Sequence, residues 1–215
     1  MSSTFHRNVS LALVATSFAA SAVSYAFLPE RIPIHWNIHG EIDGWGGRWT
    51  IFLMPVVMLF LIGVFGFILV GKLAEDVHAV NQVVYGRLML ILTGLFAFIQ
   101  AMILCSTFGR ELSPRVLIGG ICIFLGVLGN QLGKVDRNAL VGVRTPWTLA
   151  SDRVWIATHR LAAWLAVAAA GVGFVITLIE PIPVWIAFVV VIGGFIYPAI
   201  YSFFLHQRFA REGTL

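Results

Sequence analysis

Six stretches of this chain run almost uninterrupted through apolar residues, and the polar positions gather between them. The runs fall near Val9 to Leu28, Ile51 to Val70, Leu88 to Ser106, Val116 to Leu132, Leu161 to Ile179 and Val184 to Leu205. Each reaches the ~17 to 25 residues that a helix rising about 1.5 Å per residue needs to cross roughly 30 Å of hydrocarbon. None shows the period-two alternation of a barrel wall, so helices are predicted. The expected fold class is an all-α membrane protein, a single polytopic domain over residues 1–215 with a bundle of six transmembrane helices.

Composition supports this class. The chain is 59% hydrophobic and 11% charged, about half the charge of a soluble domain, with a mean hydropathy of +0.92. The lipid bilayer is therefore its first partner. The first run has Arg7 before it and Ala20-Ser21-Ala22 near its end, features shared with a signal peptide. Its length of about 20 residues exceeds an ordinary signal core, so it is read as a retained span.

Charge then sets the orientation. With the N-terminus inside, the inner segments hold Arg7, Lys72, Arg87, Lys134, Arg137, Arg144, Arg153, Arg160, Arg208 and Arg211, while the outer ones hold Arg31, Arg48, Arg110 and Arg115. The positive-inside rule thus places both termini in the cytoplasm. The same bias accounts for the net charge of +4, so no nucleic-acid partner is expected. Cys105 and Cys122 fall inside apolar runs without ligand-spaced neighbours, which points to neither a zinc site nor a disulfide framework. No cofactor is expected.

Small residues mark the packing. Gly119, Gly120, Gly126, Gly129 and Gly133 stud the fourth run, the last two spaced as GxxxG, and in lipid such glycines let helix backbones approach. The fourth helix is expected near the bundle centre. Gln100, Asn130 and Gln131 are the polar exceptions and are expected to face the interior as interhelical glue.

The outer segment from Leu28 to Trp49 alternates Ile32, Ile34, Trp36 and Ile38 with Pro33, His35, Asn37 and His39, the pattern of an extended strand with one apolar face. Gly40, Asp43-Gly44 and Gly46-Gly47 are read as turns, and Trp36, Trp45 and Trp49 as anchors in the headgroup layer. His35, Asn37, His39 and Asp43 raise a metal hypothesis. In an extended chain, however, His35 and His39 stand about 13 Å apart, so hydrogen bonding that orders the loop is the preferred role, and no metal site is assigned.

The inner segment, Gly133 to Arg160, concentrates five of the fourteen Lys and Arg residues beside Pro, Trp and His. Thr145-Pro146 reads as an N-cap followed by proline at the first helical position. With Ser151 onward helical, Ser151, Trp155, Thr158, His159 and Ala162 share one face, flanked by Asp152 and Arg160. Asp136 and Asp152 are candidate partners for the arginines, which would lock the segment's fold.

The string RN-x-L-V-G-V-R-T-P-W-T-L-x-S-D-x-V-W-x-x-T-H-R, Arg137 to Arg160, resembles the signature of the SdpI family of bacterial immunity membrane proteins. The upstream string L-P-E-R-I-P-I-H-W-N-x-x-G-E-x-D-G-W, Leu28 to Trp45, is similar to a domain of unknown function that often precedes it. The resemblance implies a multi-pass protein of the bacterial cytoplasmic membrane that gives resistance to a secreted antimicrobial peptide toxin and signals to a cytoplasmic repressor protein. The binding residues then expected are His35, Trp36, Asn37, Gly40, Asp43 and Trp45 outside. Inside they are Arg137, Asn138, Gly142, Arg144, Thr145, Trp147, Ser151, Asp152, Trp155, His159 and Arg160.

Two other classes compete. A membrane hydrolase would use His159, Asp152 and Ser151 on a lipid or peptide, but Ser151 and His159 are two turns, about 12 Å, apart on one helix, so residues from other helices would have to converge. No catalytic residue is assigned. A transporter or channel is disfavoured by the scarcity of ionisable residues within the spans.

Overall fold

The computed structural model describes residues 3–37, 41–70, 79–109, 113–138 and 140–214. Ile38, His39, Gly40, Lys72 and Arg110, named above, lie outside them. Helix α1 (Ser3–Tyr25) leads into a hairpin of β1 (Arg31–Trp36) and β2 (Ile42–Gly47), followed by a 3-10 turn (Arg48–Phe52) and α2 (Leu53–Val70). Then come α3 (Ala79–Thr107), α4 (Pro114–Leu132), the short α5 (Pro146–Ala150), α6 (Asp152–Leu178) and α7 (Trp185–Arg211). Among the described residues, six helices are long and apolar enough to cross a membrane, as expected.

Several helices outrun their apolar stretches. The third begins at Ala79 rather than Leu88, and the fifth at Asp152 rather than Leu161. Hydropathy registers only what lies in hydrocarbon, whereas the Ser151 hydroxyl, which accepts from the Val154 amide, caps α6 well before the apolar run begins.

The helices form two groups, α1–α2–α3 and α4–α6–α7, joined where α3 packs on α4. Glycine governs that junction: Phe98 of α3 lies on Gly120, and Phe124 of α4 lies over Gly94. The α4–α6 seam is closer still. Running antiparallel, Gly119 faces Thr177, Gly126 faces Ala170, Gly129 faces Ala166 and Gly133 faces Ala163, pairs whose numbers sum to 295 or 296. A single register of small residues therefore brings the two backbones together. The expected central position of α4 holds, since it meets α3, α6 and α7.

The polar residues of the spans divide. Gln100 and Gln131 are buried as expected, and the Gln100 amide donates to Ser21 Oγ at 2.9 Å. Asn130 is exposed, contrary to expectation. It follows Gly129 by one residue, hence by about 100° of rotation, and the glycines already own the face turned to α6.

At the hairpin end, Arg115 makes a contact that no sequence pattern announced. Its guanidinium donates to the carbonyls of Ile176, Thr177, Ile179 and Ile182 at 2.8–3.4 Å. These include orphan acceptors of the α6 C-terminus, where a cation also opposes the helix dipole favourably.

Candidate functional site

Two polar assemblies close the ends of the bundle. At one, β1 and β2 pair antiparallel, with register shifts between Pro33 and His35 and between His35 and Trp36. These irregularities break the expected alternation: Ile32 and Pro33 are both buried, while Ile34 is 45% exposed. The segment read as turns at Asp43-Gly44 and Gly46-Gly47 is instead strand β2. Its glycines serve close approach, since a Cβ on Gly44 would come within 2.6 Å of His35 Cβ.

Hydrogen bonds order this hairpin. His35 Nδ1 meets Asp43 Oδ1 at 2.5 Å, and Asn37 Nδ2 donates to Glu41 Oε2 at 2.9 Å while its Oδ1 accepts from the Glu41 amide. Among the described residues no three His, Cys, Asp or Glu side chains gather as metal ligands. Leu28, Ile32 and Ile51 pack with Ile103 of α3, and half-buried Trp36 joins them. Trp45 and Trp49 stay exposed. Beneath the hairpin a largely apolar cavity of about 350 Å³ is bounded by Ile34, His35 and Trp36 on one side and Leu117, Trp185 and Phe188 on the other.

The opposite end is built from residues 133–160. Thr145 caps α5 through a capping box with Thr148, and Pro146 takes the first helical position, as the sequence predicts. The helix ends after five residues, because Ser151 turns extended and starts α6 anew. Trp147 then reaches α7, its indole N–H donating to Ser202 Oγ at 2.7 Å, with Phe203 edge-on at 5.2 Å.

The predicted face of α6 is the buried one: Ser151, Trp155, Thr158, His159 and Ala162 are all buried. Trp155 and His159 stack with centroids 3.9 Å apart. Together they hold the preceding loop at two points. Trp155 Nε1 donates to the Val135 carbonyl at 2.8 Å, and the Val143 amide donates to His159 Nε2 at 2.9 Å. His159 Nδ1 lies 2.8 Å from the Trp155 carbonyl, so the proton resides on Nδ1 and Nε2 is the acceptor.

Gly142 crosses directly over this stack. Its φ of +126° is one that side-chain-bearing residues rarely adopt, and a Cβ there would collide with His159 Nε2. Asn138 shapes the same loop, donating to the Asp136 and Val141 carbonyls and accepting from the Leu140 and Val141 amides. Arg137 bridges to Asp152 at 2.7 Å and donates to the Leu149 carbonyl at 2.6 Å. The expected carboxylate partnership thus holds for Asp152 but not for Asp136, whose side chain makes no ion pair among the described residues. Arg144 and Arg160 are exposed and likewise unpaired there.

Among the described residues no hydrogen bond joins Ser151 to His159: Ser151 Oγ accepts from the Val154 amide, and both His159 nitrogens engage backbone groups. Sequence reading missed Asn81, whose side chain bonds the Asp136 amide at 3.0 Å, and Ser202. Each lies 55 residues from its partner, and nothing local signals such a pairing. Thr148 was legible in principle, three residues after a capping threonine. A cavity of about 700 Å³ opens beside the lock, lined by Lys134, Asp136, Arg137, Asp152, Ile156 and Arg160, with Trp155 and His159 as part of its wall.

A six-span helical bundle with a hydrogen-bonded hairpin at one end and a pinned basic loop at the other defines a multi-pass membrane protein whose polar chemistry sits at its two surfaces. Residues 134–202 match the SdpI/YfhL protein family, and residues 12–59 match the domain of unknown function DUF1648. The chain is 32% identical over 173 residues to the immunity protein SdpI of Bacillus subtilis (strain 168), covering 80% of each chain. It belongs to the SdpI family and is a multi-pass protein of a bacterial membrane. No solved structure matches it.

Proposed function

We propose that this protein is an immunity factor that protects its cell from a secreted antimicrobial peptide toxin. The observation that carries the reading is the 32% identity to an immunity protein across 80% of both chains, and the two family matches cover both polar ends. The hairpin is the toxin-facing end and both termini are cytoplasmic, in keeping with the distribution of Lys and Arg. The cavity under β1 suits one apolar side of an amphipathic peptide, with His35 and Asn37 at its polar edge.

Signalling is the finer part of the proposal. A cytoplasmic repressor would meet the exposed surface of the signature loop, where Arg144 is exposed and makes no ion pair among the described residues. Support for coupling comes from α3. Near one end Gln100 bonds Ser21, which donates to the Ile51 carbonyl at 3.1 Å, and near the other Asn81 bonds Asp136.

The test is survival. Expressed in a toxin-sensitive bacterium, the protein should raise survival against a peptide encoded beside its gene, and His35→Ala with Trp36→Ala should abolish this at unchanged membrane abundance. Absence of protection by the wild-type chain sinks the reading. Protection that persists without recruitment of any cytoplasmic protein would remove the signalling part alone.

A further inference from the structure

The 700 Å³ cavity at the signature end holds charges that the lock does not use. Arg137 and Asp152 neutralise each other on one wall. Lys134 and Arg160 have no carboxylate partner among the described residues, and neither does Asp136. Two free cations and one free anion therefore face a shared space. That pattern matches a ligand bearing a phosphate and an amine together, since phosphate oxygens suit ammonium and guanidinium donors while a primary amine suits a carboxylate.

Depth in the membrane points to where such a ligand comes from. Helix α4 has 19 residues, about 28 Å at 1.5 Å each, which spans the hydrocarbon and no more. Lys134 and Asp136 follow its end directly. Helix α6 has 27 residues, about 40 Å, and counting ~20 residues back from Leu178 reaches Thr158 or His159. Asp152 to Thr158 then project into the headgroup layer, and Arg160 sits at its boundary. The cavity lies at the level of lipid phosphates.

The surface below it is lipid-like in the same direction. Arg160 shares its face of α6 with Trp164 and Val167, four and seven residues on, which are 77% and 43% exposed. Ile156, half-exposed, forms the upper rim of that face. Acyl chains running along Trp164 and Val167 would bring a headgroup to Arg160. A lone phosphate would leave this continuity unused, and it would fill little of a cavity that falls in the size range of organic-ligand sites.

We propose that this cavity is a binding site for an aminophospholipid of the ethanolamine type, with its phosphodiester between Lys134 and Arg160 and its amine on Asp136. The site is independent of any toxin and of the immunity reading. Basic pockets between spans are known lipid sites, and the carboxylate is what selects a zwitterionic headgroup over a purely anionic one.

Delipidated full-length protein in detergent would be titrated with short-chain phosphatidylethanolamine, short-chain phosphatidylglycerol and soluble O-phosphoethanolamine, and retained ligand counted by native mass spectrometry. Phosphatidylethanolamine should bind best, and Lys134→Gln with Arg160→Gln should weaken it by about tenfold or more. Asp136→Asn should cost the ethanolamine lipid its advantage while sparing phosphatidylglycerol. All three side chains are exposed and make no ion pair among the described residues, so circular dichroism should show the variants folded. Equal retention by wild type and the double variant overturns the site. Phosphatidylglycerol binding as well as phosphatidylethanolamine in wild type overturns the amine assignment, and O-phosphoethanolamine binding as tightly as the lipid overturns the membrane source.

Discussion

Gly142→Ala is the sharpest perturbation of the signature lock. Two costs arise separately. The backbone at φ +126° is strained for any residue with a Cβ, by about 1–3 kcal/mol. The added methyl also collides with His159 Nε2 and comes within 3.1 Å of Trp155 Cη2. Both rings are buried, stacked and hydrogen-bonded to backbone carbonyls, so neither gives way without breaking those contacts. To make room, His159 must withdraw from the Val143 amide, leaving a donor without its acceptor at about 1–3 kcal/mol. The two terms together amount to ~2–6 kcal/mol.

Gly109→Ala separates them. Its φ is +77°, and nothing lies within 4 Å of a Cβ there, so only the backbone cost of about 1–2 kcal/mol remains. Equilibrium unfolding in mixed micelles, followed by circular dichroism and tryptophan emission, should show Gly142→Ala losing roughly 1–3 kcal/mol more than Gly109→Ala. In a His159→Ala background the excess should vanish, because the collision partner is gone. Equal losses at the two glycines, or strict additivity with His159→Ala, would refute the account of the lock.

Other substitutions probe the remaining contacts. Gly129→Leu drives a side chain into Ala166 on the α4–α6 seam and should prevent folding or lower thermal stability severely, whereas Gly63→Leu, with open space around it, should be tolerated; thermal melts in detergent distinguish them. Arg115→Gln strips α6 of a guanidinium shared among four carbonyls and should cost about 1–3 kcal/mol in the same assay, with Arg115→Lys recovering only part of it. A double-mutant cycle on Ser21→Ala and Gln100→Leu should return a coupling of about 0.6–1.7 kcal/mol, and zero coupling would deny their hydrogen bond. Trp147→Phe keeps the ring against Phe203 but loses the bond to Ser202, so it should cost about 1 kcal/mol and loosen α5, read as faster amide exchange across Trp147 to Ala150.

What the sequence discloses follows from range. Span number, the glycine face of α4, the Thr145-Pro146 helix start and the buried face from Ser151 to Ala162 each rest on residues within one run or one helix, where hydropathy, periodicity and capping operate. The strand at Ile42 to Gly47 departs from the expected turns because glycine most often marks a turn, whereas here Gly44 makes room for the His35 Cβ across the ladder and Gly46 for Thr50 and Ile34. Asn130 departs from its expected burial because polarity within a span does not by itself set the facing, and the neighbouring Gly129 claims the inward face. Arg115, Asn81 and Ser202 act on partners 55 or more residues away, and their roles appear only when helices are placed side by side.

The two regions that match known families, residues 12–59 and 134–202, do not adjoin in sequence, and α3 and α4 lie between them. In space α3 touches both. Its Gln100 is tied through Ser21 to the Ile51 carbonyl, at the base of the hairpin. Its Asn81 holds the backbone of Asp136, the residue next to the Val135 carbonyl that Trp155 grips. Tyr85 and Leu88 pack in one cluster with Val135 and Trp155, so the connection at the signature end is apolar as well as hydrogen-bonded. A displacement at the hairpin strong enough to shift α3 along its axis therefore has a mechanical route to the lock, whereas α4, held to α6 by its glycine register, resists such sliding. The consequence is measurable: Asn81→Leu should leave the hairpin ordered yet uncouple it from the loop. In that variant, hydrogen exchange at Val143 should become insensitive to Trp36→Ala, and a Val143 amide that still responds would remove α3 as the link.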